Sequence, residues 1–170
     1  MTDKELLIKY LSRFQQAKAR ITELEKLRQR IEENAVTLKG IDTSSVKVQT
    51  SRLYDKVSAP VLSAVSVDEQ IERIRQRLPV LMNETAAVIK ILPLDFQGWT
   101  VLYLHFLSDR KLSDIGNTIS VSRSQVYVLY HNALDTLLNN SEIREQIYKY
   151  KQRLIDKHKR HLKKNTNVGV

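Results

Sequence analysis

Residues 112–138 read LSDIGNTISVSRSQVYVLYHNALDTLL, and the reading of this stretch decides the fold. Leu112, Ile115 and Ile119 recur at helical spacing and predict the buried face of a short helix. Gly116 is the small residue that a close helix crossing requires. Ser120 falls where the chain must turn, and Val121 is placed to fill the space beneath. Ser122 sits as the N-cap of a second helix, its hydroxyl able to accept from the backbone N–H groups ahead. Val126, Leu129 and Ala133 give that helix its inner face, which leaves Arg123, Ser124, Gln125, Tyr127, Val128, His131 and Asn132 to face outward. Two helices joined by a short polar turn occur in any all-α protein. Small, turn and apolar positions falling together at these offsets fit a helix-turn-helix, a DNA-reading pair.

Composition agrees with a nucleic-acid partner. The 170 residues suffice for one or two small domains, and the net charge of +9 favours polyanions. Four Gly and three Pro suit a mostly helical chain. The absence of cysteine excludes disulfides, thiolate metal sites and a cysteine nucleophile, and fits a reducing cytoplasm. No apolar run is long enough for a bilayer, and a start carrying Asp3 and Glu5 is not a signal peptide, so a cytoplasmic protein without a membrane partner is expected. Neither a glycine-rich phosphate loop nor an HExxH motif occurs. The four histidines, His105, His131, His158 and His161, lack the carboxylates of a metal site apart from Asp156. No cofactor, metal or enzyme activity is expected.

Residues 112–138 resemble the fourth region of sigma-70 family factors, the part that reads the −35 promoter element. The pattern L-x-x-I-G, V-[ST]-R, V, A-L-x-x-L runs without a gap through Leu112, Ile115, Gly116, Val121, Ser122, Arg123, Val126, Ala133, Leu134 and Leu137. Upstream, Leu92-Pro93 and Val101 to Leu107 resemble the lead-in of the same domain. The loop Ser108-Asp109-Arg110-Lys111 is longer than the family's and lacks its Gly, and Ser124, Gln125 and Tyr127 stand where acidic residues and further arginines are common. In overall organisation the chain resembles late-gene activators of Gram-positive phages and prophages, of the ArpU and RinA type. These resemblances imply a sequence-specific DNA-binding transcription regulator acting with host RNA polymerase. A small terminase-type DNA-packaging subunit, and a polymerase-binding mimic of region four that does not touch DNA, remain alternatives.

Roles follow for the outward residues. Arg123 suits guanine through O6 and N7, and Gln125 suits adenine through N6 and N7. Ser124, Tyr127 and Val128 complete the base-reading set. Arg110, Lys111, His131, Asn132 and the later Lys157, Lys159 and Arg160 are expected on the DNA backbone, where they set register without reading sequence.

Before this domain, Thr2-Asp3-Lys4-Glu5 reads as a capping box opening one long helix that stops at Gly40. Its apolar residues, among them Leu7, Tyr10, Phe14, Ile21, Leu24 and Ile31, follow a heptad, and Leu6, Leu11 and Leu27 widen the stripe. Residues 40–65, with Pro60, read as a flexible connector. Ser66-Val67-Asp68-Glu69 reads as a second capping box, followed by Ile71, Ile74, Leu78, Leu81, Thr85 and Val88 at heptad spacing, with a kink expected ahead of Pro79. The two seams suit either an antiparallel hairpin or a dimer. The wide stripe favours a homodimer through Phe14, Ile21, Leu24, Ile31, Ile74 and Leu81.

Pro93 ends the second helix, and Asp95 is placed to cap the next. That helix brings Phe96, Trp99, Leu102, Tyr103 and Phe106, read as the core beneath the helix-turn-helix. After Asn139-Asn140-Ser141 a last helix carries Ile143, Ile147, Tyr150, Leu154 and His158 in one stripe. From Arg144 to Lys164 its nine Lys and Arg face only Glu145 and Asp156, so it holds most of the net charge. It reads as a phosphate-contacting extension or as a solubilising tail; a narrow stripe without Trp or Phe disfavours a membrane surface. The expected fold is therefore all-α: a helical module over 1–92, a helix-turn-helix domain over 93–140, and a basic helix and tail over 141–170.

Overall fold

The computed structural model describes residues 1–39, 50–94 and 96–166, with side chains described outside 35–39, 50–64 and 161–166. The chain is all-α. Among the described residues it forms α1 (Asp3–Leu11), α2 (Arg13–Lys39), α3 (Thr50–Ile89), α4 (Gln97–Phe106), α5 (Leu112–Ile119), α6 (Arg123–Asn139) and α7 (Ser141–Thr166). It divides into two compact units, Met1–Gln15 with Leu81–Val170, and Gln16–Val80.

The first unit closes around one apolar cluster. Leu6, Leu7, Tyr10 and Leu11 of α1 join Val88 and Ile89, Val101, Leu102 and Phe106, Ile115, the inner face of α6, and Ile143 and Ile147 of α7. The Thr2 capping box is formed in both directions: the hydroxyl accepts from Glu5 N–H at 3.2 Å, and Glu5 accepts from Thr2 N–H at 2.8 Å. The expected single helix from this cap is divided at Ser12. There the serine hydroxyl donates to the Ile8 carbonyl at 2.7 Å and Arg13 Nε donates to the Tyr10 carbonyl at 2.8 Å. Side-chain bonds of this kind compete with the helical backbone ladder. Leu6 and Leu11, read as widening a heptad stripe, instead anchor α1 in the core of this unit. Thr85, fully buried, donates its hydroxyl to the Leu11 carbonyl at 3.5 Å.

The aromatic group of α4 sits as expected with one exception. Leu102 and Phe106 are fully buried, and Phe96 and Trp99 pack partly against the core. Tyr103 is exposed and stacks on Trp99, ring centroids 5.2 Å apart. Gly98 lies against the Phe96 ring and the Ala133 methyl, and a Cβ there would come within 2.9 Å of Ala133 Cβ. The expected cap Asp95 lies outside the described residues; Phe96 occupies the N-cap without a side-chain bond.

In the second unit α2 and α3 pair within one chain. Ile21, Leu24, Val67 and Ile71 are buried together, with Ile31, Ile74 and Leu78 packed against them. Arg28–Asp68 at 3.1 Å and Arg75–Glu25 at 2.8 Å tie the two helices. The Ser66 box is not a helix start, because α3 already begins at Thr50 and continues through Pro60 and Pro79. Each proline lacks the N–H of a helical hydrogen bond, and α3 runs through both positions. Of the expected connector, residues 40–49 lie outside the described residues and 50–65 are helical.

Candidate nucleic-acid interface

The turn between α5 and α6 is built from backbone constraints. Ser120 takes the left-handed region, φ 56°, at the end of α5. The N–H groups of Ser120 and Val121 both donate to the Gly116 carbonyl, the latter at 3.0 Å, and close the helix end. A non-glycine residue in this region costs roughly 1–2 kcal/mol, which the surrounding packing of Ile115, Gly116 and Val126 offsets. Ser122 then turns to extended backbone and caps α6, its hydroxyl accepting from Gln125 N–H at 3.2 Å and lying 3.0 Å from the Ser124 hydroxyl.

Val126, Leu129, Tyr130, Ala133, Leu134 and Leu137 form the buried face of α6. Arg123, Ser124, Gln125, Tyr127, Val128, His131 and Asn132 are all exposed. At about 100° per residue, Ser124, Val128 and His131 stand on the midline of the outward face. Arg123 and Tyr127 take one edge, Gln125 and Asn132 the other. The Arg123 guanidinium lies 6.0 Å from the centre of the Tyr127 ring, at the outer range of a cation–π contact. Val128 is 50 % exposed and presents only methyl groups. Asp135 continues the midline and pairs with Lys4 of α1 at 2.6 Å, so an acid on this face is offset by a cation.

The loop before α5 is held from a distance. Asp109 has φ 59°, a left-handed conformation that acidic side chains of this size adopt more readily than most. Gln15 donates to the Asp109 carboxylate at 3.0 Å and to the His105 carbonyl, and His105 Nδ1 lies 2.9 Å from the Arg110 carbonyl. Arg110 and Lys111 are exposed on this braced loop.

On α7, Ile143 and Ile147 are buried, and Tyr150 and Leu154 pack beside them. His158, read as part of the same stripe, is exposed. Lys157, Lys159 and Arg160 are exposed and make no ion pair among the described residues. Helical phase puts Lys157 and Arg160 on one flank of α7 and Lys159 on the other. Tyr150 meets Tyr10 edge-on at 5.3 Å, and the Arg13 guanidinium lies 3.6 Å over the Tyr10 ring while pairing with Glu84 at 2.7 Å. Burial raises the Tyr150 phenol above its ordinary range, against the lowering effect of Arg13. Burial likewise pushes the Tyr130 phenol up to about 12. Among the described residues no group of three or more His, Asp or Glu is placed to hold a metal, and no helix is long and apolar enough to cross a membrane.

The structure thus gathers the expected base-reading residues with His131 and Asn132 on one helix face. Arg110 and Lys111 stand on the loop ahead of α5, and the tail cations on a separate helix. The residues expected at a dimer seam are divided between the two units. Ile21, Leu24, Ile31 and Ile74 line the hairpin of the second unit, while Phe14 and Leu81 are half-buried in the first. Lys4, Gln15 and Arg13 were not legible as supports, since each acts on a partner far along the chain. No family model matches the chain, and no curated protein or solved structure matches it.

Proposed function

We propose that this chain is a sequence-specific DNA-binding transcription regulator in which α5, the Ser120 turn and α6 work as a helix-turn-helix. The observation that supports this is the exposure of Arg123, Ser124, Gln125, Tyr127 and Val128 in the first turns of a helix whose start is capped and whose inner face is locked. A major groove admits one helix, and side chains at its N-terminal end reach base edges. Arg123 would address a guanine and Gln125 an adenine. Arg110, Lys111, His131, Asn132, Lys157, Lys159 and Arg160 would hold phosphates. The finer reading, a phage or prophage late-gene activator working with host RNA polymerase in the bacterial cytoplasm, follows the sigma-region-four resemblance. A homodimer stays part of the proposal, although Ile21 and Leu24 already pack against Val67 and Ile71 within one chain.

The test is selection of random duplexes by the full chain, followed by a mobility-shift titration of the enriched sequence. A single enriched motif that shifts in preference to scrambled duplex is expected. Selection that ends without a motif would sink the reading and leave the polymerase-binding alternative.

A further inference from the structure

The basic helix α7 exposes two flanks of different chemistry. Its buried stripe, Ile143, Ile147, Tyr150 and Leu154, gives the reference line. One flank carries Lys149, Arg153, Lys157 and Arg160; Lys149 pairs with Glu145 at 2.6 Å and borders, with Arg153, a cleft shared with Tyr10 and Tyr150. The other carries Arg144, Tyr148, Lys151 and Ile155, in which cation and apolar side chain alternate. Tyr148 is 61 % and Ile155 38 % exposed, although both are large apolar groups. Arg144 and Lys151 make no ion pair, and Tyr148 no ring contact, among the described residues. At the N-terminal end of this second flank lies a cleft of about 430 Å³. Leu6, Leu138 and Ile147 contribute apolar lining; Arg144, Tyr148 and Lys151 line its α7 side.

Phosphates reward the distal part of the first flank, where Lys157 and Arg160 present charge alone. They can use the Tyr148 hydroxyl but offer nothing to Ile155 or to the apolar face of the Tyr148 ring. A protein segment with carboxylates beside a bulky apolar side chain satisfies both features, since exposed aromatic and Arg groups are the usual anchors of such contacts and complementary charge sets register. We propose that the Arg144–Ile155 flank of α7, with its cleft, docks an acidic amphipathic segment of a partner protein. The bulky residue seats on Leu6, Leu138 and Ile147. Arg144 and Lys151, one turn to either side of Tyr148, take the flanking acids. Asp3 lies on the α1 side of the cleft and confines those acids to the α7 side. The site shares no residue with the outward face of α6, so its occupation does not depend on the DNA reading.

Short random peptides displayed on phage, selected against the full chain, test this. The enriched peptides should carry Asp or Glu on both sides of an aromatic or large aliphatic residue. Titrated into ¹⁵N-labelled protein, the best of them should shift the amides of Leu138, Ile147, Tyr148 and Lys151. Tyr148→Ala, and Arg144→Ala with Lys151→Ala, should each weaken it about tenfold or more. Lys157→Ala with Arg160→Ala should leave it within about twofold, as rim charges of the other flank do. Circular dichroism confirms that these surface variants stay folded. Selection without enrichment, enriched peptides without acids, shifts confined to other helices, or undiminished binding by the Tyr148 variant would each overturn the proposal. Duplex DNA that shifts the same amides and displaces the peptide would assign the flank to phosphate and overturn it as well.

Discussion

Gly116 and the carbonyl oxygen of Val121 meet so closely that a Cβ on residue 116 would stand 2.7 Å from that oxygen. The oxygen belongs to the backbone of a tight turn and has no rotamer through which to yield. Alanine favours a helix over glycine by about 1 kcal/mol, but forcing a methyl into a filled site costs about 1–3 kcal/mol or more. Gly116→Ala is therefore expected to lower the urea midpoint and to loosen the α5–α6 angle. An unchanged midpoint would show that the turn has slack.

Arg123 follows the Ser122 cap and stands at one edge of the outward face. A guanidinium there can make two parallel bonds to one guanine, worth roughly 1–3 kcal/mol of discrimination. Arg123→Ala should cost about tenfold or more on the enriched duplex and relax preference at one base pair. Lysine restores charge without the paired geometry and should rescue only part of the loss. Titration against each single-base variant reads this directly; unaltered preference would place the reading elsewhere.

Val128 is a half-exposed apolar residue on the midline of an otherwise polar face. In a major groove its match is the thymine 5-methyl group. Replacing the contacted thymine by deoxyuridine should weaken binding about fourfold, the equivalent of about 0.8 kcal/mol for one buried methyl-sized group. Val128→Ala should bind both duplexes alike. Equal sensitivity in the variant would mean that another side chain meets the methyl.

If about six basic side chains meet phosphates, the slope of log K against log salt should be near −5. Lys157, Lys159 and Arg160 are exposed and unpaired among the described residues. Their joint change to Ala should flatten the slope by about one for each phosphate that goes unneutralised. Lys159 lies on the opposite flank from the other two, so a flattening of about two rather than three would locate the DNA beside Lys157 and Arg160. No change at all would make the tail a solubilising extension.

Tyr130 packs beside His105, Phe106 and His131 with its phenol pushed up to about 12 by burial. The unfolded chain ionises this group near 10, the folded chain later. Its contribution is thus complete below about pH 10 and is lost as pH rises toward about 12. Stability should fall by on the order of 2–3 kcal/mol across that window, at about 1.4 kcal/mol per pH unit. Tyr130→Phe should remove that part of the fall. An identical alkaline profile for the two proteins would show that the phenolate meets no burial penalty.

Much of the candidate interface was legible because its rules are local. The Gly116 spacing, the turn at Ser120, the Ser122 cap and the outward Arg123, Ser124, Gln125, Tyr127, Val128, His131 and Asn132 all follow from neighbours within a few residues. The break at Ser12 was not, since a serine within an apolar repeat carries no stop signal of its own. The Ser66 pattern matched a capping box and still lies inside α3, because the same four residues are compatible with a helix interior. A heptad seam reads alike whether its partner is the same chain or a second copy, so Ile21 and Leu24 could not decide between them. Lys4 with Asp135, Gln15 with Asp109 and Arg13 with Glu84 are pairings at long range, where no periodicity points.

The membership of α1 in the first unit has a consequence for the order of events in the cell. Leu6, Leu7 and Leu11 share their cluster with residues made much later, from Val88 and Ile89 to Leu137, Ile143 and Ile147. Pairings of such separation are slow to close, whereas Gln16–Val80 can pair as soon as it emerges. The nascent chain therefore carries the apolar α1 without its pocket until α6 and α7 have emerged, a segment suited to capture by chaperones. A fragment starting at residue 93 inherits the complementary defect. It retains every residue of the outward α6 face and lacks the leucines that complete the floor beneath it.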